Sequence, residues 1–305
     1  MGFNITNKSY AGEHAGVYLG AAFRSATVLD YVTVMENIKF KRVINEVSLD
    51  ANFIKAAGCD FSTSGQLTTD ERVLEPKNLQ INTQFCKDNL LSDWQAAQMR
   101  AGAHNSNMSD DFAAFMMSYI GENIADYIER NFWRGDGGTD EFLGMTHVGT
   151  GLLNNAGVID VTGTTLSATN IGAQIASVVD AIPTGVYGKD DLYIYMNSKA
   201  YRFYVQHESN NGTSWYGLGS MNSEGVYQPV YQGVKIVVSD GLNDDQMVAA
   251  RSSNLFFGTD LLSDTTQLKM LDMADLDGSN NLRLVAKFSA GVQIGVPEEI
   301  VWYHA

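Results

Sequence analysis

Cysteine, proline and charge are all scarce in this sequence. There are 2 cysteines and 4 prolines in 305 residues. Two cysteines cannot make a disulfide scaffold, and a chain this long buries enough apolar surface to need no staple. Cys59 and Cys86 read as free thiols, since buried Cys behaves as a small hydrophobe; a disulfide between them is the less favoured alternative. Only 18% of residues are charged, against roughly 25% in an average globular domain. Lys and Arg number 20 against 35 Asp and Glu, a formal charge of -15. A nucleic-acid reader carries a basic face, so the acidic balance argues against one. No apolar run approaches the ~20 residues that span a bilayer. Met1 to Ala15 lacks the apolar run behind basic residues that marks a signal peptide. The expectation is a soluble protein of a reducing compartment, where the sequons at Asn4, Asn7, Asn107 and Asn211 carry no meaning.

Catalytic signatures are missing as well. His14, His104, His147, His207 and His304 show no metal-ligand spacing, and neither Cys belongs to a CxxC pair, so a zinc site has no support. They read as surface or helix-end histidines. GxSxG, Walker A, GxGxxG and HExxH runs do not occur. Met273 to Gly278 (MADLDG) resembles a calcium loop, but Met273 holds the first ligand position and Leu284 the twelfth, where a bidentate Glu belongs. It reads as a polar turn. Arg134 to Gly138 (RGDGG) follows a helix C-terminus, whose dipole repels anions, so it is no phosphate nest. Tyr193, Tyr195, Tyr201, Tyr204, Trp215, Tyr216, Tyr227 and Tyr231 crowd one region. Packing and protein contacts explain them better than base or sugar stacking, since no basic groove lies near.

What is present is a clear order of elements. The 45% apolar content excludes a disordered chain, and the length allows about two domains. Phe23 to Met35 has helical character, weakened by Thr27, Val28, Val32, Thr33 and Val34. Arg42 to Leu49 (RVINEVSL) reads as a strand, with Val43, Asn45 and Val47 on one face and Ile44, Glu46 and Ser48 on the other. A second extended run carries Val73, Leu74, Leu79, Ile81 and Phe85. Together they predict a long two-stranded excursion with little core of its own. Then comes a long amphipathic helix, capped at Ser109 and assisted by Asp110 and Asp111. Its apolar stripe runs through Phe112, Phe115, Met116, Tyr119, Ile120, Ile124, Tyr127, Ile128 and Phe132. Gly135 is expected to end it as a left-handed cap. Roughly 25 residues at 1.5 Å each give a rod of nearly 40 Å.

Beyond it, helices and strands alternate, as in an α/β or α+β domain. A helix is expected from Thr169 or Asn170 through Ile182, stopped by Pro183 and Gly185. A strand follows at Leu192 to Met196 and a helix from Ser198. Further strands are expected at Gly233 to Val238, Met247 to Ala250 and Leu255 to Gly258. Leu282 to Ile294 and Ile300 to Tyr303 read as a closing strand pair, joined at the turn Gly295 to Pro297.

This order resembles the major capsid proteins of tailed bacteriophages, with their Hong Kong 97-type fold. Ile124 to Met145 (IADYIERNFWRGDGGTDEFLGM) is similar to the end of their spine helix and the turn after it. Asp191 to Val205 (DLYIYMNSKAYRFYV) is similar to their axial-domain strand and helix. Tyr231 to Asp260 resembles a late axial segment, and Asn281 to Tyr303 the closing peripheral strands. The resemblance implies an α+β fold divided into an N-terminal arm (1–37), an extended β-hairpin loop (38–80), a peripheral domain (81–145 and 282–305, spine helix 109–134) and an α/β axial domain (146–281).

The resemblance also implies a non-enzymatic, cofactor-free and metal-free subunit. Such subunits self-assemble as pentamers and hexamers of an icosahedral head around double-stranded DNA, with no sequence-specific grip on it. Scaffolding, portal and decoration proteins would be separate partners, and no membrane is involved. The location implied is the virion capsid, after assembly in the host cytoplasm. Arg42, Glu46, Glu71 and Arg72 are the candidate charged contacts between neighbouring subunits, on position alone. Some family members crosslink through a loop Lys; nothing marks Lys39, Lys41, Lys55 or Lys77 as reactive, so no crosslink is expected. The alternatives are an encapsulin-like nanocompartment shell and, from another class, a soluble α/β enzyme or ligand-binding protein using the Tyr-rich region as a pocket.

Overall fold

The computed structural model describes residues 26–49, 53–57, 59, 65–86, 110–211, 219–221, 227–260, 267–273 and 278–305. The expected arm before residue 26, the Ser109 cap, Trp215, Tyr216 and residues 274–277 of the MADLDG turn lie outside these. In chain order the strands are β1 (Thr33–Met35), β2 (Arg42–Leu49), β3 (Leu67–Leu74), β4 (Lys77–Cys86), β5 (Ile159–Thr162), β6 (Leu192–Met196), β7 (Gly219–Met221), β8 (Tyr227–Tyr231), β9 (Val234–Val238), β10 (Gln246–Arg251), β11 (Leu255–Gly258), β12 (Gln267–Asp272), β13 (Asn281–Ile294) and β14 (Val301–His304). The helices are α1 (Asp110–Arg134), α2 (Ile171–Asp180) and α3 (Ser198–Asn210). No helix among the described residues is long and apolar enough to cross a membrane.

The strands form three sheets. Among the described residues, β2 and β3 pair only with each other, as an antiparallel ribbon. A five-stranded sheet is organised by β13, which pairs with β4 over Asn281–Ala290, with β12 over Leu282–Lys287 and with β11 over Gly291–Ile294. β1 adds to β11 in parallel. A mixed seven-stranded sheet runs β5-β14-β10-β6-β9-β8-β7.

Burial explains this arrangement. In β13 the residues Leu282, Leu284, Ala286, Phe288, Ala290, Val292 and Ile294 are all buried, the period of two of a strand with a covered face, and Ser289 and Gly291 between them are covered too. They pack on α1, which contributes Ile124, Ile128, Phe132 and Trp133 to the same core. That core continues onto one face of the seven-stranded sheet through Tyr195, Val237, Val248, Ala250 and Trp302. The opposite face is covered by α2 and α3, where Ile171, Ile175, Val178 and Tyr204 meet Ile194, Met196, Ile236, Met247 and Tyr303. The middle strands are thus buried on both sides, which is why LYIYM reads as one apolar run.

Four expectations change. Thr27–Tyr31 is a short 3-10 turn and Thr33–Met35 a strand, so the β-branched residues win over helix there. The run from Val73 to Phe85 is two strands, broken at Glu75 and Pro76, because proline cannot donate to a ladder. Gly135 is not among the left-handed glycines. A Cβ there would overlap Phe142 O, and one at Gly144 would lie 2.7 Å from Asn131 O. Glycine is therefore demanded by the close return of the chain over the helix end, where Gly144 N–H donates to Gly135 O at 2.8 Å. Finally, the closing strands are not a pair. The turn at Pro297–Glu299 carries the chain into the other sheet, where β14 lies between β5 and β10. The last strand so joins the sheet of residues 146–281, while β11, from within those residues, joins β13.

Candidate functional site

The ribbon is the part of the fold with the least internal support. Its register pairs Val43 with Val73, Asn45 with Glu71, Val47 with Thr69 and Leu49 with Leu67 on one face. On that face Val43 is 48% exposed, Val73 42%, Val47 62% and Leu67 60%. Phe40 at the base and Ile54 beyond β2 are also exposed. The apolar side chains of this sheet therefore face solvent, the reverse of a hairpin folded onto its own core. The other face pairs Arg42 with Leu74, Ile44 with Arg72 and Glu46 with Asp70.

The base of the ribbon is built differently. Leu74 is fully buried, beneath Gly258 of β11. A Cβ at Gly258 would meet Leu74 Cδ2 at 2.7 Å, and one at Gly291 would meet Glu75 O at 2.9 Å. Gly258 and Gly291 are register partners across β11 and β13. The two absent side chains thus make a notch in which the ribbon is seated. Gln293 Nε2 donates to Val73 O at 2.8 Å beside it.

The four candidate contact residues are not equivalent. Arg42 and Glu71 are exposed on the ribbon. Glu46 and Arg72 instead approach each other, with Arg72 Nε 4.0 Å from Glu46 Oε2. Both are largely covered, and Arg72 Nε has no hydrogen-bond partner. Burial pushes the Glu46 carboxyl up and Glu298 of the Pro297–Glu299 turn adds to this, while Arg72 pulls it down. So the charged face of the ribbon leans over the body, and the apolar face looks away from it. Sequence alone grouped all four residues; the register sets Glu71 apart on the apolar face, and burial separates exposed Arg42 from Glu46 and Arg72.

The lysines also divide. Lys39 is exposed, and Lys41 pairs with Glu75 at 2.8 Å. Lys55, beyond β2, is exposed. Lys77 donates to the carbonyls of Gly138 and Glu141 in the turn after α1, so its ammonium is held by the body.

The described tyrosine side chains of the 190–231 region do not share a pocket. Tyr193 and Tyr195 pack into the core against α1, with Tyr195 Oη donating to Tyr31 O at 2.6 Å. Tyr201, Tyr204 and Tyr231 pack into the core on the other side of the sheet. A cleft of about 460 Å³ lies elsewhere, beside Asn154, Asp160, Gln246, Trp302 and His304. There His304 Nε2 lies 2.9 Å from Asp160 Oδ1. Cys59 is exposed and Cys86 half-buried, both as thiols. Among the described residues no group of three His, Cys, Asp or Glu could hold a metal ion.

No family model matches the sequence, and no curated protein matches it. Solved structures do match in shape. The capsid of Myoviridae phage XM1 superposes with a TM-score of 0.61 at 14% identity, covering 100% of this chain and 96% of that one. The satellite phage P4 procapsid including size determination (Sid) protein gives 0.59 at 12% identity, covering 98% and 93%. A virus-like particle from Pyrococcus furiosus gives 0.54 at 10% identity, covering 95% and 98%. Coverage is nearly complete on both sides, so the similarity includes the ribbon, the long helix and both large sheets together. The α and β elements of this chain are arranged in the fold of phage capsid proteins.

Proposed function

We propose that this chain is a major capsid protein, a non-enzymatic subunit that self-assembles into the icosahedral head of a tailed phage. The observation that carries the reading is the ribbon. It is a two-stranded sheet whose apolar face is turned to solvent at the end of a well-packed body, inside a fold matched over its whole length by capsid subunits. An exposed apolar face of this kind marks a contact surface, and closed symmetry multiplies modest contacts into a stable shell.

In the Hong Kong 97-type scheme, the ribbon is the extended loop. The long helix with the β13 sheet is the peripheral domain, and the seven-stranded sheet with α2 and α3 is the axial domain. The N-terminal arm is residues 1–37, of which 26–37 are among the described residues. Arg42 and Glu71 serve as charged contacts to a neighbouring subunit, whereas Glu46 and Arg72 orient the ribbon within its own subunit. The shell encloses double-stranded DNA without gripping it, since the chain's charge of -15 opposes phosphate contacts. A separate protein supplies scaffolding, and portal and decoration proteins are further partners; the P4 procapsid likewise includes a second protein, named for size determination. Assembly takes place in the host cytoplasm.

Negative-stain electron microscopy with light scattering of the purified chain tests this. Closed shells, or rings of five and six subunits, are the expected result, with co-expressed phage proteins if needed. A uniform monomer or dimer under all these conditions overturns it. Shells that hold protein cargo and no DNA would favour a nanocompartment instead.

A further inference from the structure

Two exposed features of this molecule are complementary in shape and in charge. The first is a knob. Between β1 and β2 the chain reads Lys39-Phe40-Lys41-Arg42, and all four residues are exposed. Phe40 is 78% exposed, although a large apolar ring is ordinarily covered. Both ends of this short loop are fixed. On one side Ile38 is buried, and its N–H donates to Thr259 O at 3.1 Å. On the other, Arg42 enters the ribbon ladder opposite fully buried Leu74. The ring is therefore held out from a firm base, which lowers the ordering cost of a contact. Lys41 Nζ lies 5.9 Å from the ring centroid and pairs with Glu75, while Lys39 points its charge at solvent.

The second feature is the cleft of about 460 Å³ beside β5. β5 is the outer strand of the seven-stranded sheet, with β14 as its partner among the described residues, so the cleft opens at a sheet edge. Leu153, Val158 and Trp302 line it and are all buried, which makes an apolar floor. Asp160 stands at its rim with 54% of its side chain exposed, beside His304. Glu298 adds charge of the same sign nearby, its Oε1 lying 2.9 Å from where a Cβ at Gly157 would be, between the lining residues Ala156 and Val158. No Lys or Arg is among the lining residues. Gln246 also lines the cleft and is only 6% exposed. Its Oε1 accepts from Asn243 at 3.4 Å, which leaves its amide N–H to donate elsewhere.

We propose that Phe40 of one copy of this chain inserts into the β5 cleft of a second copy, bringing Lys39 to Asp160. The inference rests on the self-assembly reading and names one of its contacts. An aromatic anchor in an apolar pocket, ringed by polar groups, is the arrangement in which a few residues carry most of the binding energy. The acidic rim selects this loop over the ribbon's apolar face, which carries Glu71 in place of a cation. A backbone carbonyl of the incoming loop satisfies the Gln246 amide. Knob and cleft are different patches of one chain, so the contact is head-to-tail. Repeated contacts of that kind close into rings when the rotation allows it.

The test uses full-length subunits with one half of the contact removed. Phe40→Ser loses the knob and keeps the cleft; Asp160→Lys keeps the knob and blocks the cleft. The two are mixed and titrated by isothermal calorimetry. They should bind each other at least about tenfold more tightly than either binds itself. The double variant Lys39→Glu with Asp160→Lys reverses the charge pair, and should recover most of the self-association that each single change removes. A mixture no tighter than its components, or a double variant no stronger than the singles, overturns the contact. Should Asp160→Lys not fold, Val148→Lys blocks the cleft instead, from a lining position that is 76% exposed. The titration needs no shell. Subunits that pair in this way and never close into particles count against the icosahedral reading alone. Shells that form equally well from Phe40→Ser count against this contact alone.

Discussion

The body and the ribbon of this protein solve opposite problems with similar residues. Along the second half of α1, Ile124, Ile128, Phe132 and Trp133 are fully covered, and the seven-stranded sheet behind them is covered on both faces. In the ribbon, Val43, Val47, Leu67 and Val73 are as apolar as anything in the body, yet they face water. The difference lies in connectivity: among the described residues, β2 and β3 have each other as their only sheet partners. A two-stranded sheet alone is marginal in water. Its order comes from its base, through Leu74 in the glycine notch, and its exposed face is left for something outside the subunit.

Substitutions can break or sharpen this contrast. The largest effect is expected in the body. Trp133→Ala removes a fully buried ring and the hydrogen-bond partner of Ser239, and should cost about 3–5 kcal/mol in denaturant unfolding. A loss below about 1 kcal/mol would mean that this core is poorly packed. Next comes the base of the ribbon. Leu74→Ala should cost about 2–5 kcal/mol, with the loss seen as faster hydrogen exchange in residues 42–74 and unchanged exchange in β13. Uniform loosening would show that ribbon and body unfold as one. Gly258→Ala fills the notch and should cost about 1–3 kcal/mol as overpacking, again local to the ribbon. Smallest for stability is the exposed face. Val43→Asn and Val47→Asn should change subunit stability by less than about 0.5 kcal/mol while lowering the yield of assembled particles by light scattering. Equal yields would remove this face from the assembly contacts.

Local pattern made much of the body legible. The stripe from Ile120 to Phe132 marked α1, and the alternation from Leu282 to Ile294 marked β13, because periodicity survives in a single sequence. What failed depended on distant partners. Thr33–Met35 is a strand because Phe256, Phe257 and Gly258 lie beside it, which no local rule reports. Gly135 was legible as a helix end, but its reason is the carbonyl of Phe142 returning over it. The ribbon's two extended runs were visible, and so was their weak core. That Glu71 lies on the apolar face, opposite Arg42, Glu46 and Arg72, took the pairing to reveal, and that Arg42 alone of those three is exposed took the packing on the body.

The ladder between β4 and β13 has a mechanical consequence. β4 follows the ribbon after Glu75 and Pro76 and then pairs with β13 from Lys77 to Cys86. A pull on the ribbon tip along this line reaches β4 parallel to its own axis. The hydrogen bonds of the ladder are then loaded together, in shear, instead of being opened one after another like a zipper. Lys77, clamped to the Gly138 and Glu141 carbonyls, stands at the point where that tension enters. The ribbon, seated at its base by Leu74, is thereby also anchored against stretching along its own length.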